Sequence, residues 1–90
     1  APSDPTARPT SYQEQKEHNK LVKRAEKAVA EVEAQIARLE ADIRQTETQL
    51  ATPEGAANME LFTKYSELKK QLGAAEDQWT ELSMELEELR

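Results

Sequence analysis

Two runs of apolar residues, each stepping alternately by three and four positions, constrain this chain more than any other feature. The first is Val22, Ala25, Val29, Val32, Ile36, Leu39, Ile43, Thr46 and Leu50. The second is Leu61, Tyr65, Leu68, Leu72, Ala75, Trp79, Leu82, Leu86 and Leu89. Such spacing lays a narrow stripe along one face of a helix, the seam of a coiled coil. If the chain folds back between the runs, Leu50 faces Leu61 and Val22 faces Leu89, and the position numbers of all nine facing pairs add to 111. A register that closes without a slip specifies an antiparallel hairpin. Residue sizes agree with it: Ala25 faces Leu86, Ala75 faces Ile36, and Trp79, expected as a core anchor, meets the smaller Val32. From first to last position the seam rises about 42 Å, so the expected shape is a rod with a thin core.

Local signals set the ends. Pro2, Pro5 and Pro9 fall among Ser, Thr, Asp and Ala, so residues 1–10 read as a flexible, disordered linker. Ser11-Tyr12-Gln13-Glu14 has the form of a capping box, with Ser11, or Thr10 with Gln13, as the expected N-cap. From there to Leu50 there is neither Pro nor Gly, and strong helix formers dominate. Pro53 and Gly55 break the pattern, Thr52-Pro53 favours one short helical turn, and Asn58 is suited to cap a second helix. Gly73, expected to face solvent, interrupts that helix at a cost of about 1 kcal/mol relative to Ala. The expected fold is all-α: a two-helix antiparallel coiled-coil hairpin over residues 11–90, with helices at about 11–50 and 59–89 and a turn at about 51–58. Leu21, Phe62 and Met84 lie off the seam, where they would widen the stripe enough to recruit a second hairpin. The short turn and matched seams favour a monomer instead.

Composition narrows the functions. The 90 residues carry 18 acidic and 12 basic side chains, a net charge of −6, which allows one domain and argues against a general nucleic-acid binder. Without cysteine there are no disulfides or thiolates, and the lone His18, on an extension of the seam, excludes a multi-histidine metal site. The carboxylates fall at helix-surface spacing with no concave site to raise a pKa, and two glycines make no phosphate-cradling loop. The fragment is therefore expected to be non-catalytic and to bind no cofactor or metal. No apolar run approaches a membrane span, so a cytoplasmic protein without membrane contact is expected. Thr46 opposite Tyr65 suggests a polar layer, with a hydroxyl hydrogen bond available.

The register also exposes something. Arg90 lies opposite Leu21, so the start of the first helix has no partner and overhangs the rod. Tyr12, Lys16 and Lys20 lie on that overhang, and Lys23, Arg24 and Lys27 continue it along the outer face. Residues 13–27 hold five Lys or Arg against three Glu, the one clearly basic part of an acidic chain. Two readings stand beside each other: a surface that contacts nucleic-acid phosphates without reading bases, or a solvated face balanced by Glu85, Glu87 and Glu88 at the same end. Tyr12 is suited to stack on a base or to pack on a neighbouring domain. At the other end, Met59, Leu61 and Phe62 form a candidate protein-contact tip.

The entry Ser11-Tyr12-Gln13-Glu14-Gln15-Lys16-Glu17, the stretch Glu33-Ala34-Gln35-Ile36-Ala37-Arg38-Leu39-Glu40-Ala41, and the distal Asp77-Gln78-Trp79-Thr80-Glu81-Leu82 resemble the C-terminal coiled-coil domain of Uup-like ABC-F ATPases. The resemblance spans about Ser11 to Leu89. It departs from the family pattern at Gln13 and Gln15, where basic residues are frequent, and at Lys16, where Arg is usual. It implies a cytoplasmic parent with two ATP-binding cassettes, which hold ATP and Mg, with this hairpin following the second as an accessory domain. It further implies DNA, or ribosomal RNA, as partner, with Ser11, Tyr12 and Lys16 at the entry motif; contacts to phosphates alone would make that binding weak and independent of sequence. The alternative is a structural arm that contacts the ribosome or the parent's ATPase core without touching nucleic acid.

Overall fold

The computed structural model describes residues 7–90, with side chains from Tyr12 onward. Three helices follow in order: α1 (Ala7–Leu50), the single turn α2 (Pro53–Ala56), and α3 (Met59–Leu89). The two long helices pack antiparallel as a hairpin, and no strand occurs among the described residues. At 1.5 Å per residue the 44 residues of α1 extend about 66 Å.

The predicted seam is the core. Val32, Leu39, Ile43 and Thr46 of α1 and Leu68, Ala75 and Leu86 of α3 are buried, with Ile36, Tyr65 and Leu72 packed against the central cluster. Of the eighteen seam positions, seventeen are buried or half-buried. Trp79 departs from expectation: it is 37% exposed, at the edge of the interface, and not a core anchor. Its indole N–H donates to Glu33 Oε2 at 3.2 Å, which holds the ring across the helix pair and keeps the nitrogen out of the apolar seam. The polar layer differs as well. The Thr46 hydroxyl donates back to its own helix, at Asp42 O (2.8 Å), while Tyr65 donates to Glu47 Oε2 (3.0 Å). Both residues thus satisfy their hydroxyls separately.

α1 begins at Ala7, so Pro9, Thr10 and Ser11 lie inside the helix and neither Thr10 nor Ser11 is its cap. Pro9 is compatible because it falls in the first turn, where an amide has no intrahelical acceptor to lose. The expected linker is correspondingly shorter, and its residues 1–6 lie outside the described residues.

The turn is built from side-chain caps. Thr52 caps α2, its hydroxyl accepting from Gly55 N (3.0 Å) and donating to Gln49 O (2.7 Å). Asn58 caps α3, Oδ1 accepting from Glu60 N (3.0 Å) and Leu61 N (3.4 Å). Gly55 is buried against the end of α1: a Cβ there would run into the Gln49 carbonyl. Gly73 is half-buried, yet a Cβ would meet nothing within 4 Å.

Candidate functional site

Arg90, the cap of α3, reaches α1 at Glu26 (3.3 Å), and every described side chain from Tyr12 to Leu21 is exposed. The overhang is thus a single helix projecting from a two-helix rod.

Tyr12, Lys16, Lys20, Lys23 and Lys27 lie along one stripe of that helix, spaced four, four, three and four, with Arg24 beside them. Val22, Ala25 and Val29, which face α3, lie on the opposite side of α1, so the stripe points away from the partner helix. Tyr12 is 67% exposed. Tyr12, Gln15, Lys16, Asn19, Lys20 and Lys23 line one shallow open depression. Gln15 and Asn19 were not singled out by sequence reasoning: Asn19 lies seven after Tyr12 and four before Lys23, on the flank of the stripe, while Gln15 lies seven before Val22, on the extension of the seam.

The acidic balance is not where it was expected. Among the described residues the one ion pair within 4.0 Å joins Arg90 to Glu26, while Lys16, Lys20, Lys23, Arg24 and Lys27 pair with no carboxylate, Glu85, Glu87 and Glu88 included. The structure therefore keeps five exposed cations on α1 and, of the three glutamates in the same segment, ties only Glu26 to the end of α3. Such an array attracts an extended polyanion; it holds no nucleophile or base in a closed site. Gly55 packs in the turn and Gly73 lies inside α3, so neither belongs to a loop that cradles phosphates.

At the tip, Met59 is 80% exposed and Phe62 48%, while Leu61 is half-buried on the seam. The tip residues present two apolar side chains, not three. No helix among the described residues is long and apolar enough to cross a membrane.

The family model described as "ABC transporter C-terminal domain" matches residues 9–84, in agreement with the resemblance to the C-terminal domain of ABC-F ATPases. Comparison with curated proteins and with solved structures finds no match.

Proposed function

The chain belongs to the ABC transporter C-terminal domain family, an accessory domain of ABC proteins, and from that premise we propose that it binds nucleic acid through the overhanging start of α1. Lys16, Lys20, Lys23, Arg24 and Lys27 contact successive phosphates, and Tyr12 stacks or packs at the end of the stripe. The observation that carries this reading is the clustering of those five exposed cations within residues 16–27 of α1, none of them paired with a carboxylate among the described residues. An exposed cation without a partner gains by replacing the counterions of a phosphate backbone, and that release does not depend on sequence. The net charge of −6 keeps the affinity low and confines it to this end of the rod. The parent is a cytoplasmic ABC-F ATPase whose cassettes supply ATP and Mg; this chain contributes contact, not hydrolysis. The test is titration of labelled duplex DNA, single-stranded DNA and ribosomal RNA at low and moderate salt. Binding that survives the change of all five basic residues to Glu overturns the reading.

A second reading is favoured by Met59 and Phe62. Their exposure suits a tip that docks against a protein of the ribosome or the parent's ATPase core. In the full-length protein, Met59→Ser with Phe62→Ser then weakens protein association and leaves nucleic-acid binding intact. Unchanged association removes it.

A further inference from the structure

We propose that the outer face of α3 around Trp79 and Met84 is a docking surface for a cationic amphipathic helix of another protein. It lies on the other long helix from the basic stripe and does not rest on the nucleic-acid reading.

Shape is the first argument. Trp79, Thr80, Ser83, Met84, Glu87 and Glu88 line one shallow depression that runs from the edge of the helix interface round the outside of α3. Met84 stands two residues from both Leu82 and Leu86 on the seam, so it points outward, and it is 60% exposed. The bond from the Trp79 indole to Glu33 fixes the ring at the interface edge with part of it uncovered. A ring held in place before a partner arrives has less freedom to lose on binding, and methionine adapts to the side chain it meets. Residues 79–88 extend about 14 Å, the length over which a partner helix presents anchors at i, i+3 or i+4, and i+7.

Charge decides the occupant. Residues 71–89 hold Glu76, Asp77, Glu81, Glu85, Glu87 and Glu88 and no Lys or Arg. Glu76 and Asp77 lie seven residues before Ser83 and Met84, on the same two strips of the helix, while Glu87 and Glu88 line the far end of the depression. Acid therefore bounds the apolar surface at both ends. A nucleic acid or an anionic membrane is repelled there. A helix with Leu, Met or Phe on one stripe and Lys or Arg beside it sets carbon against Trp79 and Met84 and its cations against the carboxylates. The basic stripe of a second copy offers the charge, but Tyr12 is its one apolar side chain, so it leaves the depression unfilled.

Trp79 is the one tryptophan of the sequence and reports on its own surface. The 90-residue chain is titrated with a synthetic amphipathic peptide of about 14 leucines and lysines, with the same residues shuffled so that no apolar stripe forms, and with a leucine and glutamate version. The amphipathic cationic peptide should shift Trp79 emission to the blue and shield it from acrylamide, with the shuffled peptide about tenfold weaker and the acidic one without effect. Met84→Ser and the double variant E87K/E88K should each lose about tenfold in affinity with circular dichroism unchanged. E31K/E67K makes the same change in charge at exposed positions outside the depression and should stay within about twofold of the parent. Emission that does not move overturns the proposal, as do equal losses in E87K/E88K and E31K/E67K. A chain that sediments as a dimer with Trp79 already shielded overturns it in favour of a second copy. Peptide binding by a chain that ignores duplex DNA supports it and removes only the nucleic-acid reading.

Discussion

Trp79 and Glu33 are joined across the hairpin by an indole N–H to carboxylate hydrogen bond of 3.2 Å, the tryptophan lying at the edge of the helix interface. A half-exposed ring contributes less than a buried one, and its polar end is satisfied by a partner that water also solvates. Trp79→Phe should therefore cost about 1 kcal/mol, and Trp79→Ala less than the roughly 3–5 kcal/mol typical of a buried aromatic. Thermal unfolding followed by circular dichroism checks both. A loss of the full core value for Trp79→Ala would show that the ring is buried in solution.

The two glycines predict opposite outcomes. Gly55→Ala places a methyl group against the backbone carbonyl of Gln49, which cannot yield as a flexible side chain would, so the turn must open at a cost of about 2 kcal/mol or more. Gly73→Ala meets nothing and gains helix propensity, raising stability by about 1 kcal/mol. Urea midpoints for the pair should move in opposite directions.

Thr46, at 1% exposure, is the most buried polar side chain, yet its hydroxyl bonds only to the carbonyl one turn back. Thr46→Val keeps the shape and leaves no donor stranded, since the carbonyl retains its helical amide. Its stability should stay within about 1 kcal/mol of the parent. Leu39→Ala, in the centre of the same seam, should cost about 2–5 kcal/mol, less if the thin rod collapses onto the space.

The five outward cations set a salt dependence. If each meets one phosphate, the logarithm of the binding constant should fall with the logarithm of salt concentration at a slope of roughly −3.5 on a single strand and −4.5 on a duplex. Replacing Lys20 alone by Ala should reduce the slope by about one contact. A slope near zero would remove phosphate contact as the source of affinity.

Alternating steps of three and four carried the hairpin, its register and the identity of the core, because burial of an apolar stripe depends on spacing alone. Trp79 escaped that logic: its place in the stripe was readable, but the hydrogen bond to Glu33 depends on where a large ring can turn, which spacing does not encode. Ala7 as the start of α1 was hidden by Pro9, since proline in a first turn and proline in a linker look alike in sequence. The exposure of Lys23 and Lys27 was readable from their place across α1 from Val22, Ala25 and Val29.

The capped turn around Gly55 makes the hairpin a zipper fastened at one end. Leu50 and Leu61 are 11 residues apart in sequence, whereas Val22 and Leu89 are 67 apart, so contacts near the turn close small loops and contacts at the base close only after their neighbours have formed. Fraying accordingly starts at the open end, beside the basic overhang, and hydrogen exchange should slow progressively toward the turn. The rod grips most firmly at the end remote from its proposed ligand and yields most readily at the end that meets it.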